Sequence, residues 1–517
     1  MKTPPLMAGT PRRRLRILDT TLRDGDQAAG FAFAPEEKRA IARALVEAGL
    51  DTVETGFPLS SPADFETCRE LAREFPGRTA VMCRGRREDI AATAKVFAGG
   101  IPGLLHISLP VSGIHIRAKL GISGGELLGR AAELAAYAAG LAADVEMGAE
   151  DATRCGRNFL LDYCGAVFAA GVKTVNIADT LGLSAPGEFG PLITLLKRAF
   201  PEGRISVHCH NDFGLALANT LAAVEAGCDQ AEVSVGGAGE RAGNAALEEL
   251  CLNLEARGAT LAVETGLRPD HLPPLMALIR SSSAIDGPLK PVSGWNIRSH
   301  ASGIHQQGLA RRTETYANHA LDTINPGPER IILSRHSGKE GLRLFARRYC
   351  GLELGEAAVR EALDRVKAAP GPLTGLTEFL CILADCGFPL KKRPLVCRSL
   401  AETLETPTET GPSRYTISAA LGTHPPGSGD LSVQGAGESR EAAVLEALAG
   451  LDGLYGLGGG GIEITRIGLT GSGARLRVYT ELTSGGRPFA VERRGDSAPL
   501  LLFQCCLDAV NACLQLL

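Results

Sequence analysis

From Leu15 to about Val235, short β-prone apolar runs alternate with longer stretches whose apolar residues recur at helical spacing. The runs are LRILDT (15–20), DTVETG (51–56), TAVMC (79–83), LLHISL (104–109), ADVEM (143–147), VKTVNIAD (172–179), RISVHCH (204–210) and QAEVSV (230–235). Between them lie patterns such as PEEKRAIARALVEAGL (35–50) and LALANTLAAVEAGC (215–228), often ended by glycine. Eight strand-plus-helix units in about the ~250-residue length of a (β/α)8 barrel predict that fold, an α/β TIM barrel, over residues 15–285. An open doubly wound sheet fits less well. No GxGxxG follows the first strand, and polar residues recur at the end of every strand rather than at one switch point.

The repeat then stops. Residues 286–400 mix helical segments with polar loops and predict a mostly helical linker region, and the Pro/Thr/Glu-rich stretch 401–414 reads as a linker. From Tyr415 to Leu517 the pattern becomes short alternating strands with two helices, predicting a small α+β domain. Residues 1–14, with three prolines beside Arg12, Arg13 and Arg14, read as a disordered lead-in. The LGGGG at 457–461 lacks the Lys-Ser/Thr of a phosphate loop and reads as a flexible connection.

Composition narrows the partners. With 54 Lys+Arg against 58 Asp+Glu, the net charge of -4 gives no electrostatic case for nucleic acid or an anionic membrane. Aromatic residues at 5% argue against a stacking platform for bases. Neither a secretory leader nor a run of ~18 apolar residues is expected. The 14 cysteines are scattered without a CxxC pair, so reduced thiols and a cytoplasmic location are expected.

Barrel active sites gather at the C-terminal ends of the strands. There the first strand delivers Arg23 and Asp24, the second Glu54, the fourth His106 and the fifth Glu150. The sixth delivers Asp179 and Thr180, the seventh His208 and His210, and the turn after the eighth Glu240, Arg241 and Asn244. In a strand, residues two apart share a face, so His208 and His210 aim one way and Cys209 the other. An HxH strand alone is an ordinary feature. Joined by the carboxylate of Asp24 on the same rim, it becomes a candidate site for Mn, Mg or Zn, with open positions for a chelating substrate.

Seven motifs, in this order, carry a family resemblance: DTTLRDGDQ, ETGFPLSSPADFE, VEMGAEDATR, VNIADTLG, HCHNDFGLALAN, GERAGNAALEEL and SGIHQQG. The chain resembles the metal-dependent barrel enzymes that condense or cleave acyl-CoA thioesters, the 2-isopropylmalate synthase and homocitrate synthase family. That resemblance implies a divalent metal on Asp24, His208 and His210, with Asn244 as a weaker ligand. It also implies acetyl-CoA as co-substrate and a 2-oxo acid held by Arg23 and Thr180, with Glu54 and His106 in the substrate-binding set. Arg23 would stabilise the developing alkoxide, and pairing with Glu150 would orient its guanidinium. His305 is implied as the base and Tyr316 as its hydroxyl partner, with Gln307 where relatives commonly carry Asp.

ETGFPLSSPADFE and residues 106–121 look most like the isopropylmalate-forming branch, which implies 3-methyl-2-oxobutanoate and leucine biosynthesis. The Arg84-Gly85-Arg86 run keeps 2-oxoglutarate and oxaloacetate open, since an extra arginine at the rim would receive a second carboxylate. Pyruvate, the citramalate route, is a further alternative. Arg86 and Arg87 also read simply as a helix start in solvent. The final domain resembles a paired, effector-binding regulatory domain, implying a homodimer and an amino-acid effector. A lyase, or a barrel that only senses amino acids, is the other reading; the intact Asp24, His208, His210 and Asn244 speak against the sensor.

Overall fold

The structure is a computed structural model. It describes residues 12–28, 33–282, 290–292, 295–317, 321–323, 327–368 and 376–390, with 395–405, 414–423, 431–437, 443–444, 463–470, 476–484, 487–495 and 507 beyond them. Eight parallel strands close into a barrel: β1 (Arg16–Asp19), β2 (Thr52–Glu54), β3 (Thr79–Arg84), β4 (Leu104–Pro110), β5 (Asp144–Glu150), β6 (Thr174–Asp179), β7 (Arg204–Cys209) and β8 (Gln230–Val233). Neighbours pair in chain order, and β8 returns to β1 with Arg16 opposite Gln230. Each strand falls within or overlaps its expected run, and β3, β4 and β5 extend one to three residues beyond theirs. A helix follows every strand, from Pro35–Glu47 after β1 to Leu247–Leu261 after β8.

Alternation along the strands decides what fills each side. Val145 and Met147, Val175 and Ile177, Ile205 and Val207, and Ala231 and Val233 turn outward into one large apolar cluster with the helices. The residues between them are buried and largely polar: Glu146, Thr174, Asn176, Ser206, His208, Gln230 and Glu232. Leu18, Ala80 and Leu104 form a separate small apolar cluster. Barrel interiors are usually layers of Val, Ile and Leu. Here much of the lumen is a polar column.

The N-terminal expectation needs correction. Arg13 and Arg14 are not a disordered lead-in but a two-residue strand parallel to Val263–Glu264. The Arg13 guanidinium donates to the Cys228 and Val224 carbonyls, and Arg14 donates to Asp51 at 2.6 Å. Those carbonyl and carboxylate partners hold the arginines down.

The chain divides into two units, Met1–Gly294 with Ala320–Pro326, and Trp295–His319 with Gly327–Leu517. Leu321 joins the barrel's apolar cluster, which ties its short segment to the first unit. In the second unit, helices Lys339–Cys350, Glu356–Ala368 and Leu376–Asp385 bury Leu342, Phe345, Val359, Leu363, Phe379 and Leu380 together.

Further on, β9 (Leu395–Glu405), β10 (Arg414–Thr423) and β11 (Leu431–Gly437) form one antiparallel sheet. A second sheet contains β12 (Glu463–Thr470), β13 (Leu476–Ser484) and β14 (Arg487–Gly495). The 401–414 stretch is therefore no simple linker: its first five residues end β9, Arg414 opens β10, and Glu405 pairs with Arg414. Polar composition misled there because Thr, frequent in this stretch, is a strand former as well as a loop residue. The two helices expected after Tyr415 and the glycine run at 457–461 lie almost entirely outside the described residues.

Candidate active site

β7 delivers His208 and continues to His210, whose backbone makes an isolated bridge with Asn244. That bridge sets the turn after β8 against the end of β7. Gly182 permits the approach from the β6 side, where a Cβ would stand 2.7 Å from the His210 carbonyl oxygen and 2.8 Å from the Asp212 nitrogen. Asp24 lies just after β1, which neighbours β8 through barrel closure.

The convergence is close. The Nε2 atoms of His208 and His210 are 3.2 Å apart, and Asp24 Oδ2 lies 3.7 and 3.9 Å from them. With metal–ligand bonds of about 2.1 Å, adjacent ligand atoms are separated by about 3.0–3.4 Å, near this spacing. Asn244 donates Nδ2 to Asp24 Oδ2 at 2.7 Å, and its buried Oδ1 has no hydrogen-bond partner. All four side chains are buried.

Electrostatics suits a cation. Burial, reinforced for His208 by Arg23 and for His210 by His208 and Arg241, outweighs the attraction of Asp24 and lowers both imidazoles to about 4. Both are then neutral near pH 7, with lone pairs to offer. Asp24 is raised by burial, but Arg23 and the two histidines outweigh that and hold it at about 2. Two neutral nitrogens and one anionic oxygen, crowded together with an orphaned amide oxygen beside them, fit a divalent ion. Cys209 faces the other way, toward Thr220, and burial raises its thiol.

Arg23 adjoins this group, with Nη1 3.2 Å from Asp24 Oδ1. Its carboxylate partner is not Glu150. Nε donates to Glu54 Oε2 at 2.5 Å, and the other Glu54 oxygen meets His106 Nδ1 at 2.8 Å. Glu54 and His106 are themselves fully or almost fully buried, at 0% and 3% exposure. The pair forms a charged support beneath Arg23. Burial pulls His106 down, but Glu54 overrides it and raises the imidazole to about 9. Burial raises Glu54, but Arg23 and His106 lower it to about 2.

Glu150 is half-buried at the end of β5 and pairs with Lys119 at 2.7 Å. The Thr180 hydroxyl accepts from the Asp151 amide at 2.8 Å. Asp151, at φ 63, also meets His115 at 3.1 Å and Arg154 at 2.7 Å, a rim cluster for which adjacent acids after β5 were the only sequence signal. Arg84 is tied to Asp89, and Arg87 to Glu133 and the Tyr137 ring, while Arg86 is exposed ahead of its helix. That is the helix-start reading. In the second unit, His305 on helix Gly303–Arg311 stacks on Tyr316 with ring centroids 4.0 Å apart.

Sequence reasoning missed the column beneath His208. Asn176 Nδ2 donates to Glu232 Oε1 and to Ser206 Oγ; Gln230 Nε2 donates to Ser206 Oγ at 3.0 Å and to Glu146 Oε2 at 2.8 Å. Burial pushes Glu146 and Glu232 up to about 7, and a hydrogen bond from Glu146 pulls Glu232 back down. Polar residues at alternate strand positions were the available signal. A cavity of about 210 Å³, lined by Arg16, Lys173 and Arg204 among others, lies at the opposite ends of the strands from the rim group and reaches Glu146 and Gln230 at the foot of the column.

Comparison with known proteins agrees with the geometry. The HMGL-like family pattern matches residues 14–279, and the homocitrate synthase post-HMGL domain-like pattern matches 292–370. A 2-isopropylmalate synthase of Pyrococcus furiosus is 40% identical over 371 residues, 71% of this chain and 74% of that protein. One from a Caulobacter species is 38% identical over 365 residues, 69% of each chain. Another, from Sediminispirochaeta smaragdinae, is 39% identical over 337 residues, 64% of this chain and 67% of that protein. With a closed barrel, a rim of two histidines and an aspartate, and relatives of this similarity, the chain belongs to the HMGL-like family.

Proposed function

We propose that the protein is an acyltransferase that condenses acetyl-CoA with 3-methyl-2-oxobutanoate to form 2-isopropylmalate, the branch-point step of leucine biosynthesis. The observation that carries this reading is the convergence of Asp24, His208 and His210 beside Arg23 at one barrel rim. Relatives named as 2-isopropylmalate synthases supply the choice of substrate.

A divalent ion (Mn, Mg or Zn) held by Asp24, His208 and His210, with Asn244 alongside, would polarise the C2 carbonyl of a chelating 2-oxo acid. Arg23, clamped by Glu54 through Nε and by Asp24 through Nη1, would offer its remaining N–H groups to the keto oxygen and stabilise the charge that develops there. Thr180 sits with the carboxylate end. Glu150, held by Lys119, lines the same rim. His305 removes a proton from the thioester methyl group, and the resulting carbon nucleophile attacks C2. Water then cleaves the thioester and releases coenzyme A. Tyr316 fixes the His305 ring by stacking. The arginines at 84–87 are engaged elsewhere or exposed, which favours an oxo acid with an apolar tail over one with a second carboxylate.

The reading extends to a homodimer with an amino-acid effector at the C-terminal strands, and to a cytoplasmic enzyme. Among the described residues no helix is long and apolar enough to cross a membrane. The test is thiol release by the purified protein with acetyl-CoA and a panel of 2-oxo acids, repeated with leucine. Release with 3-methyl-2-oxobutanoate above 2-oxoglutarate, pyruvate and oxaloacetate is expected. Preference for another acid reassigns the substrate, and no release with any removes the reading.

A further inference from the structure

Two buried polar atoms in the barrel lie close together, and neither makes a well-formed hydrogen bond. His208 Nδ1 and Glu232 Oε2 are each without a satisfactory hydrogen bond, yet they lie 2.9 Å apart in a short, off-axis contact. Leaving such atoms unpaired inside a protein is costly, so each is the natural partner of the other. Glu232 is not free to turn away. Its second oxygen accepts from Asn176, and Asn176 is in turn bonded to Ser206, which Gln230 holds from the next strand. Glu232 is 1% exposed and Asn176 2%, so no outside molecule reaches either.

From this geometry we infer that Glu232 is a positioning residue for the ion: it takes the Nδ1 hydrogen of His208 and so leaves the Nε2 lone pair directed at Asp24 and His210. An imidazole has one hydrogen in its neutral form, and a fixed acceptor on one nitrogen decides which nitrogen is left to bind. The two Nε2 atoms, 3.2 Å apart, both lie toward Asp24. Asn176, Ser206 and Gln230 form a brace that carries the carboxylate at fixed height under the ring. This also accounts for polar residues in a lumen ordinarily filled by aliphatic ones. Glu54 plays the matching part for Arg23, so each of two buried carboxylates supports one rim group.

The inference rests on the metal-dependent reading above, and the experiment separates the two. In the full-length protein, nitrogen-15 spectra of the histidine rings should show His208 as the Nδ1–H tautomer in the wild type before any ion is added. Affinity for Mn2+ and Zn2+, measured by competition with a chromophoric chelator, should fall about 10–100-fold in Glu232→Gln, the range for outer-shell partners of metal ligands. The same variant should lose the single tautomer while its unfolding temperature without ion is held. A wild type that binds neither ion defeats the functional reading. A wild type that binds while Glu232→Gln binds within threefold of it, or an Nε2–H tautomer at His208 in the wild type, overturns this inference alone.

Discussion

At the scale of single residues, the rim separates two kinds of work that substitutions can distinguish. Asp24 Oδ2 faces both imidazoles and also receives Asn244, so it is the one anionic oxygen common to the group. Its removal leaves two neutral nitrogens and an amide, too little for a hard divalent ion. His305 belongs to the second unit and has no part in that set. Asp24→Ala should therefore lose divalent-ion binding and turnover together. Ion-induced thermal stabilisation, about 2.7 kcal/mol in the wild type at a hundred times Kd, should vanish with them. His305→Ala should keep that stabilisation while turnover falls about 10²–10⁴-fold, the usual share of a positioned base. Chelator competition and thiol release, run on both variants, check the contrast; ion binding retained by Asp24→Ala would dismantle the proposed ligand set. Asp24, His208 and His210 were legible because chemistry and strand spacing marked them. Glu54 was legible only as a rim acid. Its true partners, Arg23 and His106, come from the loop after β1 and from β4 in turn, and no local pattern records that pairing.

At the scale of elements, strand period explains both what was readable and what was missed. Outward apolar positions gave away all eight strands, while the inward set, Glu146, Asn176, Ser206 and Glu232, broke the expected aliphatic lumen and passed as ordinary polar residues. β9 was hidden because its end runs into the Thr/Glu/Pro-rich stretch. Loops contribute where backbone geometry is special. Gly243, at φ +88, immediately precedes Asn244, and a Cβ there would overlap the Gly237 carbonyl oxygen. Left-handed backbone costs a residue other than glycine about 1–3 kcal/mol even without such a clash. Gly243→Ala is thus expected to lower the unfolding temperature and, by moving Asn244 away from Asp24, to weaken ion binding as well. Calorimetry with chelator competition measures both, and lost stability with unaltered ion affinity would show that Asn244 takes no part in holding the ion.

At the scale of the whole molecule, the buried charges of the barrel lumen couple folding to pH. His106 is the clearest case because its shift has one sign and one dominant partner. Glu54 raises it from the ordinary 6.5 to about 9 against the opposing effect of burial. The folded chain therefore binds this proton more tightly than the unfolded chain. The stabilisation is fully present below about 6.5 and is lost as pH rises through about 9. Burial acts oppositely on His208 and His210, lowered to about 4, and on Asp19, Glu146 and Glu232, raised to about 7. Those opposed shifts overlap on the acid side, so the total profile there names no single residue. A difference profile does. Replacing His106 by glutamine keeps a donor for Glu54 and removes the titration. Between pH 6.5 and 9 the wild type should lose stability relative to His106→Gln, with the gap narrowing steadily as the imidazolium deprotonates. Chemical denaturation across that range reads the gap directly. A gap that stays constant from pH 6.5 to 9 would mean that His106 is not held protonated by Glu54, and the charged support assigned to Arg23 would then lack its third member.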